Sequence, residues 1–179
     1  MKPDGQKLLK LARRSIETYF SDSYPDTTEV EQYDTKQGLF CTLHKNNKLR
    51  GCIGFPTPVM PLYKAVIEAA HSAAFKDPRF PPVTEDEVKE LHIELSILTV
   101  PELIQASTID EYKQKIELGK HGLIIEHPYG SGLLLPQVPT EQGWNCDEYL
   151  QNICMKAGLP TDAINDAKLY CFEAEIYSE

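Results

Sequence analysis

Leu39-Phe40-Cys41-Thr42-Leu43-His44-Lys45-Asn46-Asn47-Lys48-Leu49-Arg50-Gly51-Cys52-Ile53-Gly54-Phe55 is the stretch on which the fold class turns. Leu39, Cys41 and Leu43 alternate with Phe40, Thr42 and His44, the two-residue period of a strand with one buried face. Lys45-Asn46-Asn47-Lys48 predicts a polar turn, because asparagine tolerates the positive φ that tight turns demand. The chain returns from Leu49 to Phe55, so the whole stretch predicts a β-hairpin and commits the fold to antiparallel pairing. Pro56 and Pro58 end the second strand, since proline removes donors from the ladder.

Outward from the hairpin, helices and strands follow one another without a steady βαβ rhythm. Leu8, Ala12, Ile16 and Tyr19 recur at helical spacing and predict a helix over 6–20, with Asp4 as its N-cap. Residues 21–37 are polar and read as a loop. A second helix is predicted over 61–75, where Ala65, Ala69, Ala70 and Ala73 make a small-residue stripe that permits close approach to a sheet. Asp77-Pro78-Arg79-Phe80-Pro81-Pro82 is a stiff connection, and Thr84 with Glu87 is a capping box for a short helix. Ile93, Leu95 and Ile97 mark a strand whose other face carries His92, Glu94 and Ser96. Thr108 with Glu111 opens a helix that should end near Gly119. A second hairpin is predicted from 122–126 and 132–135, and Asn145 with Glu148 opens a helix that stops at Gly158. Tyr170, Phe172, Ala174 and Ile176 alternate as one terminal strand. The expectation is an α+β fold: a mostly antiparallel sheet with helices packed on it, with room for a second, smaller lobe.

At 179 residues, 41% hydrophobic and 25% charged, the chain has the composition of an ordinary globular domain. No apolar run approaches the roughly 20 residues that span a bilayer. Met1–Gly5 leads into a charged amphipathic segment without a signal-peptide core, so a cytoplasmic protein is expected. The five cysteines (Cys41, Cys52, Cys146, Cys154, Cys171) are scattered without a C-x-x-C pair, the pattern of reduced thiols. A net charge of −9 with dispersed basic residues argues against nucleic acid as a partner.

The residues that could carry chemistry gather in the returning strand. With regular alternation Leu49, Gly51 and Ile53 share one face, and Arg50, Cys52 and Gly54 share the other. Arg50 and Cys52 then lie about 7 Å apart along the strand. A thiol with a pKa near 8.5 is only a few per cent ionised at neutral pH, and a nearby cation favours the thiolate. Gly51 and Gly54 remove bulk beside the sulfur and let a ligand or another backbone approach. The plain alternative is a small buried cysteine in a strand whose glycines mark a bulge.

Other candidates are thinner. Arg79, between prolines, is placed to recognise an anion or to tether its loop. His71, on the alanine-rich helix, could orient a thiolate or simply pack. His92 and Glu94 share a strand face but lack a third ligand, so no metal is expected in protein purified without added ions. Cys146 sits in the first turn of a helix, where a thiol can be activated, yet an incidental surface cysteine explains it better. His121 follows a helix end and could satisfy its terminal carbonyls, and Trp144 packs beneath its loop. There is no Walker loop, no GxGxxG, no GxSxG and no HExxH, and no cofactor is implied.

Leu49-Arg50-Gly51-Cys52-Ile53-Gly54 resembles the hallmark hexapeptide of the AMMECR domain family, named for the Alport syndrome, midface hypoplasia, intellectual disability and elliptocytosis chromosomal region. The resemblance continues through Asp77–Pro82, Glu94–Thr99, Gly119–Gly122, Leu135–Val138, Glu141–Trp144 and Lys156–Leu159, blocks that together run through most of the chain. It implies one compact α+β domain over 1–179, divided into a larger and a smaller lobe. It also implies Memo-like and radical-SAM proteins as associates. The family has no settled reaction. Its site, carried onto this chain, falls on Arg50, Gly51, Cys52 and Gly54. Asn145-Cys146 departs from the Asp expected after the Trp, which weakens Cys146 as a shared catalytic group.

Three functions stay open on these residues. The favoured one, because a core cysteine does not require an adjacent arginine, is an enzyme acting on a small molecule through Cys52 as nucleophile, with Arg50 sustaining its charge and Gly51, Gly54, Arg79 and His71 contacting substrate. Another is a non-catalytic protein-binding module, and the third is a nucleotide or RNA modification factor. Cys52 is expected to react with iodoacetamide faster than the other four thiols near neutral pH. Mass-spectrometric labelling kinetics test this, and equal or slower labelling at Cys52 would mark it as structural.

Overall fold

A computed structural model describes residues 3–179; Met1 and Lys2, part of the segment read above as lacking a signal-peptide core, lie outside the described residues. The fold is α+β, and its strands form two four-stranded antiparallel sheets where the sequence suggested one. The chain divides into two compact units, residues 1–98 with 175–179, and residues 99–174.

In the first unit, helix α1 (Gly5–Tyr19) starts at Asp4, whose carboxylate accepts the amides of Gln6 and Lys7. The hairpin is β1 (Leu39–Lys45) and β2 (Lys48–Phe55), turned by Asn46 and Asn47 at φ 52° and 59°. Helix α2 (Leu62–Phe75) follows, and then strand β3 (Leu91–Leu98) pairs with β1 in register, Leu39 with Ile97 through Lys45 with Leu91. The expected capping box forms only in part: the Glu87 carboxylate accepts the Thr84 amide and hydroxyl, but the helix is a 3-10 turn, Asp86–Glu90, whose N-cap is Glu85 and has no side-chain cap. Leu39, Cys41, Leu43, Ile93, Leu95 and Ile97 are buried in one core with the apolar faces of α1 and α2. Phe40, Thr42, His44, His92 and Glu94 therefore lie on the face away from the helices, as strand alternation requires.

The second unit runs through strand β4 (Glu102–Leu103), helix α3 (Ile109–Lys115) and the hairpin β5 (Gly122–His127) with β6 (Gly130–Leu134). Helices α4 (Val138–Gln142) and α5 (Cys146–Lys156) and strand β7 (Lys168–Phe172) complete it, in sheet order β4-β7-β5-β6. Asn145 and Glu148 form a complete reciprocal cap at the start of α5. Helix α3 stops four residues short of Gly119: the Glu117 amide donates to His121 Nδ1 at 3.1 Å and is lost to the helix. His121 thus serves that end twice, its ring accepting the Glu117 amide and its own amide donating to the Glu117 carbonyl at 2.9 Å.

The expected single strand over Tyr170–Ile176 is two strands in different sheets. Strand β8 (Ala174–Ser178) lies beside β3 in the first sheet, order β2-β1-β3-β8. The division falls at Glu173, whose amide donates to Thr99 Oγ1 at 2.9 Å and whose carbonyl accepts the Thr99 amide at 2.8 Å. The apolar alternation of the sequence runs on through Glu173 to Ile176, although in the structure Ile176 is exposed and Tyr177 packs on the core, so the sequence pattern carries no mark of the switch.

The alanine stripe of α2 does what its size permits. Ala65, Ala69, Ala70 and Ala73 are buried, and a Cβ on Gly51 would sit 2.1 Å from the carbonyl oxygen of Ala73. That neighbour is backbone and cannot rotate aside, so only glycine fits. Gly51→Ala is expected to cost about 2 kcal/mol or more through overpacking, which for a chain this size lowers Tm by roughly 5 °C or more. Thermal unfolding followed by circular dichroism checks this, and an unchanged Tm would mean that α2 can lift from the sheet at little cost.

Candidate functional site

Strand β2 is the outer strand of its sheet, with β1 on one side and, among the described residues, no strand on the other. The pairing between them contains a bulge: Leu43 pairs with Gly51 and His44 with Leu49, so Arg50 has no partner. One extra residue in a strand resets which side the following residues face. Leu49, opposite His44, and Cys52, opposite Thr42, consequently lie on the same face, away from the helices. The regular alternation expected from the sequence fails at this point.

Arg50 leaves the bulge toward the 3-10 turn. Its Nε and Nη2 donate to the two oxygens of Glu87 at 3.3 and 3.1 Å, and Lys45 Nζ joins the same carboxylate at 3.2 Å. The Arg50 side chain is 12% exposed and that of Glu87 21%. Glu87 also accepts the amide of Thr84 at 3.0 Å. The Arg50 guanidinium, followed by these other donors, holds the Glu87 carboxyl down at about 2. Arg50 Nη1 is buried without a hydrogen-bond partner. This guanidinium is part of the packing of the hairpin and is directed away from the sulfur of Cys52.

The cation beside Cys52 is Arg79. The Cys52 amide donates to Asp77 Oδ2 at 2.9 Å, and Arg79 Nη2 donates to the Cys52 carbonyl at 3.3 Å. Arg79 Nε and Nη2 also hold Asp77 at 3.0 and 2.8 Å, and the Arg79 amide reaches Asp77 Oδ1 at 3.1 Å. The Asp77 side chain is 2% exposed while that of Arg79 is 53% exposed. The Arg79 guanidinium keeps the Asp77 carboxyl far below the ordinary carboxylate range, helped by the amides of Cys52 and Arg79.

Both backbone polar groups of Cys52 therefore point away from β1 and are closed by one ion pair. That makes Thr42 and Cys52 a non-hydrogen-bonded cross-strand pair, the kind in which side chains come closest. The 3.2 Å between Thr42 Oγ1 and Cys52 Sγ follows from it. Cys52 is half-buried; Cys41 and Cys154 are buried, and burial pushes the thiols of Cys41, Cys146, Cys154 and Cys171 upward.

The remaining candidates fall in different places. Gly51 faces Ala73, as above, and a Cβ on Gly54 would sit 2.2 Å from the Leu39 carbonyl oxygen and 2.6 Å from the Phe40 ring, so both glycines answer to packing. His71 lies among Tyr19 and Phe75, with ring centroids 5.4 and 5.1 Å away, and lines a cavity of about 300 Å³ that does not include Cys52. Among the described residues no group of three or more His, Cys, Asp or Glu side chains is placed to hold a metal ion, and no helix is long and apolar enough to cross a membrane. Sequence reasoning missed Thr42, Asp77 and Glu87 as partners of the motif. Asp77-Pro78-Arg79 carried a usable signal, since an Asp two residues before an Arg in a proline-bounded turn is built to fold back on it.

Known proteins resemble the chain over nearly its whole length. Protein MJ0810 of Methanocaldococcus jannaschii is 50% identical, covering 98% of this chain and 90% of its own. Protein PH0010 of Pyrococcus horikoshii is 48% identical, covering 98% and 89%. The crystal structure of uncharacterized protein PH0010 from that organism superposes with a TM-score of 0.83 at 46% identity, covering 98% of this chain and 91% of that one. The AMMECR1 family profile matches residues 9–177, which take in the second unit, most of the first and the Cys52 edge, and the chain belongs to the AMMECR1 family.

Proposed function

We propose that the edge of β2 at Cys52, together with the loop Asp77–Pro82, is a recognition surface for a partner protein and that Arg79 is its working group. One observation supports this most: the charged groups that thiol chemistry would draw on are committed to the fold. Arg50 is held by Glu87, and Asp77 by Arg79 and the Cys52 amide. Arg79, by contrast, is fixed through three side-chain hydrogen bonds yet half exposed, and its Nη1 has no partner among the described residues. A guanidinium already immobilised loses little freedom on binding, which suits it to a carboxylate presented by another protein. Memo-like and radical-SAM proteins, associates implied by the resemblance, are the partners to test first.

A second reading keeps Cys52 as a thiolate nucleophile in a small-molecule enzyme. The half-buried position of Cys52 and the Thr42 hydroxyl 3.2 Å from its sulfur favour that reading, with Arg79 in place of Arg50 as the supporting cation. It lacks a base in contact with the sulfur: Asp77 is saturated with donors, and Glu94 and His44, which share the sheet face, make no hydrogen bond to Cys52 among the described residues.

Arg50→Met and Arg79→Gln separate the two. Removing the Arg50 guanidinium from Glu87 costs about 3 kcal/mol, or roughly 10 °C in Tm. Glu87 has a depressed folded value, about 2 against an ordinary 4.5, so its contribution is complete above 4.5 and is lost as pH falls toward 2. Arg50→Met should flatten that acid-side slope and leave the pH profile of Cys52 alkylation unchanged. Arg79→Gln leaves the buried Asp77 carboxylate without its cation and should itself cost about 3 kcal/mol. Its binding to a Memo-like protein, expected to fall about tenfold or more, is therefore measured well below its Tm and beside Arg50→Met, which loses comparable stability and should bind as the parent does. A shift of Cys52 alkylation to higher pH in Arg50→Met with Tm unchanged would favour the enzyme reading. Undiminished partner binding by Arg79→Gln would remove the recognition surface.

A further inference from the structure

The strand register brings together three metal-competent groups that are far apart in the sequence. His44 of β1 pairs directly with His92 of β3, and Glu94 is two residues along β3, opposite Thr42. All three alternate with buried residues (Leu43, Leu91, Ile93, Leu95) and so lie on the face away from the helices. Thr42 directs its backbone groups away from β2, as the Cys52 geometry requires, so Thr42–Glu94 and His44–His92 are the wide, hydrogen-bonded pairs of β1 with β3. Their Cα atoms are then about 5.5 Å apart. Two imidazoles rising side by side from such a pair can bring nitrogens to the roughly 3.3 Å separation that a shared metal requires at about 2 Å from each.

The surroundings fit this use. His44 and Glu94 make no hydrogen bond or ion pair among the described residues, so neither is already engaged. His92 Nε2 lies 2.8 Å from Ser178 Oγ on the neighbouring strand β8. With that nitrogen donating its proton to the hydroxyl, Nδ1 keeps its lone pair, the arrangement by which an outer partner orients a ligating histidine. Imidazole pairs suit borderline divalent ions of the Ni²⁺, Cu²⁺ and Zn²⁺ series.

We propose that His44 and His92 form a two-imidazole chelate for a divalent transition-metal ion, with Glu94 as the adjacent anionic group and water completing the coordination. The site shares the sheet face of Cys52, separated from it by Thr42, and uses none of the Arg79 contacts. Because only two protein ligands take part, it is a site that fills when ion is supplied, and not one that retains ion through purification.

Isothermal titration of the intact chain with NiCl₂ tests it. One Ni²⁺ per chain is expected, with His44→Asn and His92→Asn each weakening binding about tenfold or more. His71→Asn and Cys52→Ser should bind as the parent does. No binding at millimolar Ni²⁺, or full affinity in His44→Asn and His92→Asn, would overturn the proposal. So would loss in Cys52→Ser with retention in His92→Asn. A mutation-free measurement covers any folding defect: histidine side-chain NMR of the parent protein with substoichiometric Ni²⁺ should broaden His44 and His92 first, and earlier broadening of His71, His121 or His127 counts against the site.

Discussion

The contact of Gly51 with the Ala73 carbonyl fixes the height of α2 above the sheet, and much of the first unit depends on that height. With a Cβ at Gly51 excluded by a 2.1 Å clash, the helix backbone lies directly against β2. The alanines of the stripe are the only side chains small enough for that separation. The helix ends at Phe75, so the chain leaves it already beside the outer strand. Asp77, two residues on, reaches the Cys52 amide without a long loop, and the entropy cost of placing it is correspondingly small.

An outer strand presents unpaired amides and carbonyls to any passing strand. Here the Asp77–Arg79 pair supplies one acceptor and one donor to Cys52, which is what a fifth strand would have supplied. The bulge at Arg50 adds a second protection by twisting the strand beside that position. The ion pair lets a buried carboxylate exist at low cost, because every Asp77 oxygen is met by a donor and the charge is neutralised by a guanidinium that still reaches water.

The hairpin, the caps at Asp4 and Asn145, and the small-residue helix were legible because each is a local pattern with a local cause. What stayed hidden depends on pairing between distant segments. A bulge is invisible in the sequence of one strand, so the face of Arg50 was read from a period that the partner strand interrupts. Glu173 switches sheets without breaking the apolar alternation of the sequence, because its bonds go to Thr99, seventy-four residues away. His44 and His92 each look like an isolated polar residue on a strand, and only the register makes them neighbours.

The motif Leu49–Gly54 is consequently two things folded into six residues. Gly51, Gly54 and Arg50 satisfy the packing of the hairpin against α2, β1 and the 3-10 turn. Cys52 stands on the face away from the helices, as Gly54 does, with its backbone closed by the loop and its sulfur against a threonine hydroxyl. A short sequence signature that reads as an active site can arise from this coincidence. A reactive-looking residue is set between neighbours that are required for reasons of space, and the arginine that seems to serve the thiol is aimed at a carboxylate on the other face. The cation that does lie beside Cys52 comes from a loop that begins twenty-five residues later, so the motif alone does not contain the chemistry of its own surroundings.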